Sequence, residues 1–168
     1  MDIVVSRQID IHTADWGMGA RRCSVGRSGV AVKQREGDGV TPVGRWRLRS
    51  VFYRADRVAA PNCTLPVTAL EQNLGWCEAP EDPAYNKPVR LPHRAVSESM
   101  WRDDGLYDVV LVVGYNDEPV VPGRGSAIFV HVARPDYAPT AGCVGLALPD
   151  LLEVLAQLRP HDELIVRP

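Results

Sequence analysis

Two continuous apolar segments constrain the fold of this chain more than any other feature of its sequence. Residues 108–115 and 126–133 are rich in Val, Ile or Phe, and neither shows a regular alternation of polar and apolar side chains. Successive side chains of a strand point to opposite faces, so an unbroken apolar run is typical of a strand covered on both faces. We therefore predict two central strands in a sheet that is buried on both sides.

The other periodic segments are short, and most of them also indicate strands. Alternating or apolar runs bounded by turn residues predict further strands within residues 3–11, 22–34, 45–53 and 163–167. Residues 149–158 instead combine a first-turn proline, early acidic residues and leucines on one face, which predicts a helix that Pro160 ends. The sum predicts a mainly β fold, a β-sandwich or collapsed barrel with one or a few short helices.

Residues 58–94 differ from the rest of the chain. They are rich in Pro, Asn and Asp and show no sustained period, which predicts a long structured loop. Long loops in compact domains are usually functional or disordered, and Trp76 and Tyr85 favour packing over disorder. We interpret this range as a flap on the substrate side of the domain.

Length, charge and composition limit the classes of function. The 168 residues suffice for a proper core, and no linker divides them, so we expect a single domain over residues 1–168. The net charge of −2 argues against a nucleic-acid partner, which would favour a basic patch. No apolar run approaches the roughly 20 residues that span a bilayer. The N-terminus lacks the basic start and long apolar region of a signal peptide.

A histidine and a cysteine twelve residues apart give the clearest indication of chemistry. His131 lies near the end of the second apolar segment, and Cys143 follows a turn-forming stretch and a glycine. A cysteine is a useful nucleophile as the thiolate, and a nearby imidazole can take its proton. A strand, a tight loop and a second strand would bring both side chains to one end of a sheet. The alternative is a buried strand histidine and an inert core cysteine.

Small residues directly before Cys143 would suit an incoming carbonyl group. Ala141 and Gly142 would allow a substrate carbonyl to approach the backbone amides beside the sulfur. Such amides stabilise the negative oxygen of a tetrahedral intermediate. We therefore predict an oxyanion hole formed by the amides of Ala141, Gly142 and Cys143.

This part of the sequence resembles the catalytic motif of the YkuD-type L,D-transpeptidases: a strand histidine, a variable loop, then Ser/Thr-x-Gly-Cys-Val/Ile-x-Leu. The matching residues are His131, Thr140, Gly142, Cys143, Val144 and Leu146. Segments similar to other motifs of the family are residues 35–44, 75–77, 85–86, 101–108 and 114–116. The resemblance extends from about Val32 to the C-terminus, and it implies the same β-sandwich or collapsed-barrel fold.

One position departs from the family pattern. Many members carry Arg after the Gly-Cys-Ile/Val sequence, whereas Gly145 stands here, so the chain resembles a proteobacterial branch with GCVxL in place of GCIRL. We expect this departure to affect the substrate geometry and not the nucleophile. We also expect Gly145 to tolerate small substitutions.

The resemblance implies a peptidoglycan L,D-transpeptidase without a cofactor. His131 would take the proton of Cys143 during the reaction or hold the thiolate as an ion pair, and the sulfur would form a thioester with a stem peptide. An amine of a neighbouring stem would then form the cross-link. The donor carbonyl would belong to the third stem residue or, in some proteobacterial relatives, to the first. Alkylation near neutral pH is expected to reach Cys143 before the other thiols.

Two other functions are compatible with the sequence. If water replaced the amine, the protein would be an L,D-carboxypeptidase or endopeptidase. A non-catalytic wall-binding module on the same fold is a further alternative, although such a module would be expected to lack the cysteine or the histidine. The family resemblance implies a bacterial protein of the periplasm or cell envelope, and we expect a monomer without a membrane span.

Five residues are candidates for substrate binding. Arg124 and Arg134 flank the histidine strand and could pair with a substrate carboxylate, or they could be solvated loop residues. Tyr115 and Asn116 could lie beside the site or belong only to a turn. Thr140 could cap the turn before the nucleophile or contact substrate.

The remaining cysteines give no pattern of metal ligands. No C-x-x-C pair occurs and the four histidines are scattered, so we expect no metal site. If Cys143 is a free nucleophile, Cys23, Cys63 and Cys77 remain. Cys63 and Cys77 are the nearest pair in sequence and could form a disulfide, or all three could be reduced packing residues.

Overall fold

The computed structural model describes all residues from Met1 to Pro168, and the fold is mainly β, as the sequence predicts. The strands are β1 (Ile3–Gln8), β2 (Ile11–Asp15), β3 (Arg21–Cys23), β4 (Val30–Ala31), β5 (Thr41–Pro42), β6 (Gly44–Tyr53), β7 (Val67–Ala69), β8 (Leu74–Cys77), β9 (Pro88–Arg90), β10 (Ser97–Ser99), β11 (Val109–Val113), β12 (Phe129–Val132), β13 (Val144–Leu146) and β14 (Glu163–Val166), and the helix is α1 (Leu148–Gln157). The largest sheet has the order β13-β12-β11-β6-β14-β1-β2-β3, with β7 beside β6.

The two edges of this large sheet meet, which leaves it nearly closed. Ser24, directly after β3, and Gly145 in β13 exchange two backbone hydrogen bonds of 2.9 Å each. Gly26 and Thr140 form a second bridge between the same two segments. The closure confirms the predicted sandwich or collapsed barrel, and it holds the segment before β13 against the first part of the chain.

The first apolar segment forms β11, which lies between β6 and β12 in the middle of the sheet. Its five residues are all buried, and they alternate between two apolar clusters. Val109, Leu111 and Val113 belong to a cluster of 22 buried residues, and Val110 and Val112 belong to a cluster of nine. The continuous apolar run is therefore explained by burial of both faces of the strand.

The second apolar segment forms β12 and continues this alternation. Val130 belongs to the larger cluster, and Phe129 belongs to the smaller one. His131 follows on the same face as Phe129, because the side chains of a strand alternate, and the ring of Tyr107 contacts both. Cys143 also belongs to the smaller cluster. The alternation of β12 thus directs His131 to the same side of the sheet as Cys143.

The helix forms where the sequence predicts it. It begins with Pro at its first turn and ends at Gln157, and Leu158 caps it with a backbone amide. Leu151, Val154 and Leu155 are buried against the larger cluster. The helix therefore covers one face of the large sheet and leaves the face with His131 to other elements. With ten residues, it is also too short for a membrane crossing.

A second, smaller sheet covers the other face, and it adds short strands to the long structured loop predicted over residues 58–94. This range contains β7, β8 and β9, and β8 pairs with β9 and β10 in a sheet of three strands. Trp76 in β8 packs edge-on against Phe129, with 5.0 Å between the ring centroids. Strands of three or four residues are too short to show a periodic pattern, so local patterning could not predict them.

The four cysteines are all unpaired in the structure, so Cys63 and Cys77 form no disulfide. Cys23, Cys77 and Cys143 are buried, and Cys63 is half-buried. The alternative of reduced packing residues therefore describes Cys23 and Cys77.

The expected tolerance of Gly145 to small substitutions is wrong. A Cβ at this position would lie 2.3 Å from Oγ of Ser24 and 3.2 Å from both Cα and Cβ of Ala133. The bridge that closes the sheet brings these residues together, so a Cβ at Gly145 fits only if the hydroxyl of Ser24 moves away or is removed.

Gly145→Ala is therefore expected to destabilise the fold by about 1–3 kcal/mol, the usual cost of overpacking a tight interior. Denaturant unfolding measures this cost. Ser24 Oγ is buried and has no hydrogen-bond partner, so Ser24→Ala should be tolerated and should recover most of the loss when combined with Gly145→Ala. Equal stability of the wild type and Gly145→Ala would contradict the proposed clash.

Candidate active site

His131 and Cys143 lie in neighbouring parallel strands or directly beside them. Strands β12 and β13 pair in parallel with His131 opposite Gly145, and Cys143 immediately precedes β13. Both side chains line one cavity of about 280 Å³. His131 is 5% exposed and Cys143 is 7% exposed. The structure thus brings the two predicted residues to the same cavity, and it places both in a poorly hydrated environment.

The imidazole of His131 is oriented by the backbone of its own strand. Its Nδ1 lies 2.9 Å from the carbonyl oxygen of Val132, and we assign the proton to Nδ1 from this contact. The other ring nitrogen, Nε2, then carries the lone pair that can accept a proton. Burial lowers the pKa of His131 to about 4, so the ring is neutral at physiological pH.

The low pKa of His131 predicts a loss of stability in mild acid. Between pH 6.5 and about 4 the unfolded chain binds a proton that the folded protein does not bind, so the free energy of unfolding falls as the pH is lowered. At about 1.36 kcal/mol per pH unit, the full effect is roughly 3 kcal/mol. Unfolding curves at several pH values should show that His131→Gln loses this dependence, whereas a control at the exposed His161, His161→Asn, keeps it.

Glu78 also changes the stability of the protein with pH, so the effect of His131 must be measured by comparing the wild type with a His131 variant. Burial raises the pKa of Glu78 to about 7, so Glu78 makes the folded protein more stable at low pH and opposes the effect of His131. The difference between the curves of the wild type and His131→Gln isolates the histidine. Parallel curves would contradict a buried, neutral His131.

The thiol of Cys143 is held by the backbone of the segment that leads into β12. Its Sγ–H donates to the carbonyl oxygen of Ala127 at 3.2 Å, and Sγ accepts the amide of Phe129 at 3.4 Å. Burial, followed by the charge of Glu98, raises the pKa of Cys143 to about 12. With His131 also neutral, the geometry favours a thiol that loses its proton during the reaction over a resting ion pair.

Ala127, the acceptor for the Cys143 thiol, is itself fixed by Asn86. Ala127 has a positive φ of 54°, and its amide donates to Oδ1 of Asn86 at 3.0 Å. The same Oδ1 accepts Nε1–H of Trp76 at 3.0 Å. Asn86 therefore connects the smaller sheet to the backbone that contacts Cys143.

The amides predicted for the oxyanion hole differ in their hydrogen bonding. The amide of Gly142 donates to Oγ1 of Thr140 at 3.1 Å, whereas the amides of Ala141 and Cys143 have no acceptor. Gly142 has a φ of 142°, and a Cβ would lie 2.9 Å from the carbonyl oxygen of Val40. Only glycine fits at this position, and two of the three predicted amides are available to an incoming oxygen.

Thr140 caps the turn before Cys143. Its hydroxyl donates to the carbonyl oxygen of Cys143 at 2.6 Å and accepts the amide of Gly142. Its own backbone bonds to Val25 and Arg27 across the closed edge of the sheet. Thr140 also lines the cavity, but its hydroxyl is committed to the turn.

The other candidates for substrate binding lie in different places. Arg134 lines the rim of the cavity, and its guanidinium is half exposed, 3.9 Å from Asp104. Tyr115, Asn116 and Arg124 do not line this cavity. The hydroxyl of Tyr115 donates to the carbonyl oxygen of Arg124, and the amide of Asn116 closes the turn that follows. The geometry therefore supports Arg134 as a substrate contact and gives no support to the other three.

Several charged residues of the cavity were not singled out from the sequence. They are Lys33, Glu36, Glu78, Glu98 and Arg102, together with the phenol of Tyr107. Glu36 and Tyr107 occur in the motif segments 35–44 and 101–108, which could have pointed to them. Glu78 and Glu98 lie in and beside the smaller sheet, and no sequence signal marked either of them.

Most of these charges are paired inside the protein, and Glu78 is the exception. Lys33 pairs with Asp38 at 2.6 Å. Glu98 accepts the hydroxyl of Tyr107 at 2.8 Å and pairs with Arg102 at 3.2 Å. The carboxylate of Glu78 has neither a hydrogen bond nor an ion pair, and burial raises its pKa to about 7. The cavity thus contains one carboxyl group that is free to bind a ligand.

Comparison with known proteins agrees with this arrangement. Residues 3–166 match the profile of the YkuD family, described as the L,D-transpeptidase catalytic domain. The match covers nearly the whole chain, including β12, β13 and both cavity residues, His131 and Cys143. No curated protein and no solved structure matches the chain significantly.

Proposed function

This chain belongs to the YkuD family of L,D-transpeptidase catalytic domains, and from that premise we propose that it cross-links peptidoglycan stem peptides through a thioester on Cys143. The observation that carries the proposal is the shared cavity of His131 and Cys143, with the unoccupied amide of Cys143 beside the sulfur. We propose that residues 1–168 act as one catalytic domain, as a monomer, in the bacterial cell envelope.

In the first step, Sγ of Cys143 attacks the donor carbonyl carbon and its proton passes to Nε2 of His131. The new S–C bond leaves a negative oxygen, which the amides of Cys143 and Ala141 stabilise; one such donor is typically worth about 100- to 1000-fold in rate. His131 then donates its proton to the leaving nitrogen. The C–N bond breaks, and the thioester remains.

The resting hydrogen bond of the thiol fits this sequence of events. The proton of Cys143 points to the carbonyl of Ala127 at rest, so the sulfur must turn towards His131 when substrate binds. Both groups are neutral before substrate binds, because burial raises the pKa of Cys143 to about 12 and lowers the pKa of His131 to about 4. We propose that formation of the S–C bond drives the proton transfer, and that the free enzyme has little thiolate.

In the second step, an amine of a neighbouring stem attacks the thioester carbon and gives up a proton to His131. The C–S bond breaks, and His131 returns that proton to Sγ of Cys143. The acceptor amine would enter the cavity as its ammonium form and pair with the free carboxylate of Glu78. Glu78 would take one proton from it, which leaves a neutral amine to attack, and would later release that proton to solvent. Arg134 at the rim suits a stem-peptide carboxylate. Glu78 therefore favours an amine over water as the acceptor, and cross-linking over hydrolysis.

Glu78→Gln tests the choice of acceptor. A hydrogen bond to a charged group contributes about 1.5–3 kcal/mol, so we expect the ratio of cross-linked dimer to hydrolysed monomer to fall by about tenfold or more. The exposed Glu81 on the same segment provides the matched control, Glu81→Gln. An unchanged ratio in Glu78→Gln would exclude Glu78 from acceptor binding.

The proposed function itself is tested with defined stem peptides and mass analysis of the products. A cross-linked dimer supports transpeptidation, and its fragmentation shows whether the donor is the third or the first stem residue. A shortened monomer alone indicates an L,D-carboxypeptidase or endopeptidase. Binding to peptidoglycan without any product, in the wild type, indicates a wall-binding module and contradicts the proposal.

A further inference from the structure

Three potential metal ligands meet in the smaller sheet, away from His131 and Cys143. Cys77 is the last residue of β8, Asp82 lies in the turn that follows, and His93 comes after β9. The sulfur, a carboxylate oxygen and a ring nitrogen of these residues all lie within 4.8 Å of one another. We propose that Cys77, Asp82 and His93 bind a divalent transition-metal ion of the zinc class.

The donor set and its spacing suit such an ion. Zinc prefers thiolate, imidazole and carboxylate ligands, and two N or O ligands of one tetrahedral zinc lie about 3.4 Å apart. Nε2 of His93 and Oδ2 of Asp82 are separated by 3.6 Å, which is too long for a good hydrogen bond. Small side-chain rotations would bring the sulfur to the same centre.

The unpartnered nitrogen of His93 is an independent observation. Nε2 is buried, and no hydrogen-bond partner satisfies it, although a buried polar atom without a partner is normally costly. Cys77 beside it is fully buried and forms no disulfide. A metal ion would satisfy the ring nitrogen and use the thiol as a ligand.

Arg94 is the one group that competes for Asp82. Its Nε donates to Oδ2 at 2.8 Å, while Oδ1 accepts the amide of Ala84. The side chain of Arg94 is 72% exposed, so it can swing into solvent and leave Oδ2 to the metal.

The burial of the three ligands indicates how a metal ion would enter the site. His93 is 19% exposed, whereas Cys77 is inaccessible, so an ion would enter from the side of His93. The S–metal bond forms as the thiol gives its proton to solvent, and three protein ligands leave a fourth position for water. The ion would tie the end of β8 to the segment before β10 and thereby fix the sheet that carries Glu78.

The spacing of these three ligands matches no common zinc-binding sequence pattern, which is why the sequence alone predicts no metal. The ligands are five and eleven residues apart in the chain and include no C-x-x-C pair. Their meeting depends on the pairing of β10 with β8, which sets Ser97 opposite Cys77 and so returns the segment between β9 and β10 to the end of β8. The inference does not depend on the proposed function.

Cobalt(II) provides a spectroscopic test, because a cobalt–thiolate bond gives a charge-transfer band in the near ultraviolet. The full chain should carry Cys143→Ala, which removes the buried thiol that shares a cavity with His131. We expect one equivalent of cobalt to produce the band, and zinc to displace it and raise the melting temperature. Cys77→Ser should abolish the band, and His93→Ala should weaken cobalt binding by at least about tenfold.

Cys63→Ser is the matched control, since Cys63 is a half-buried thiol outside the cluster, and it should leave the band unchanged. The proposal fails if saturating cobalt gives no band or if the band survives in Cys77→Ser. It also fails if Cys63→Ser removes the band or if His93→Ala binds cobalt as tightly as its parent. Folding of each variant is checked by circular dichroism, and His93→Ala alters a partly exposed side chain only.

Discussion

Cys143→Ala is expected to lower turnover of a stem-peptide substrate by a factor on the order of 10⁶, the loss that follows removal of a protease nucleophile. The physical reason is that no other thiol shares the cavity with His131. The measurement is product formation from defined stem peptides, with intact-protein mass analysis for the thioester. The wild type should show an acyl adduct, and the variant should show none.

The stability of Cys143→Ala should change little, because the side chain is small and makes two long hydrogen bonds to backbone groups. Loss of the acceptor for Phe129 should cost about 1 kcal/mol. Cys63→Ser is the control for a thiol outside the cavity and should retain full activity. An acyl adduct that persists in Cys143→Ala would place the nucleophile elsewhere.

The structure changes the expectation that simple alkylation would find Cys143 first. Burial raises the pKa of Cys143 to about 12, and the side chain is almost inaccessible, whereas Cys63 is half-buried. Since the thiolate is the reactive form, a small alkylating reagent near neutral pH should reach Cys63 before Cys143. Reaction with a substrate, which supplies binding energy at the cavity, is therefore the diagnostic measurement.

His131→Ala is expected to lower kcat by about 100- to 10,000-fold, the usual contribution of a general acid–base group. His131 would accept the proton of Cys143 and donate it to the leaving nitrogen, so the variant should affect kcat more than substrate affinity. His131→Gln keeps a polar side chain without the base and should behave alike. A variant with a normal kcat would reduce His131 to a buried strand histidine.

The pH profile separates a catalytic role of His131 from a structural one. Because the pKa of His131 is about 4, kcat/KM of the wild type should be insensitive to this group near neutrality and should fall as the pH drops towards 4. The residual activity of His131→Ala should lack this acidic limb. Glu78 titrates near pH 7, so the profiles are best compared in a Glu78→Gln background.

Local patterns in the sequence determined most of the architecture. These patterns depend only on residues that are close together in the chain. They are the apolar runs of β11 and β12, the leucines on one face of α1, and the turn residues between strands. Their structure follows from strand and helix periods. The histidine and the cysteine were found in the same way, because the motif that contains them is continuous in sequence.

Such local patterns could not predict very short strands or contacts between residues that are far apart in the chain. The three-residue strands of the smaller sheet are stabilised by packing on Phe129 and its neighbours and not by their own periodicity. The clash at Gly145 arises from Ser24, which is remote in sequence and meets β13 only when the sheet closes. Tyr115 and Asn116 follow β11, yet they belong to a turn that does not line the cavity.

The sequence by itself thus determined a mainly β fold and pointed to His131 and Cys143 as the candidate pair, since both inferences depend on residues that are continuous in the chain. Only the tertiary structure decided the protonation states of that pair, because desolvation depends on every element that covers the two side chains. The tertiary structure also decided which charged residues face His131 and Cys143. Glu78 and Glu98 reach the cavity from the smaller sheet, and their position depends on how that sheet packs on β11 and β12.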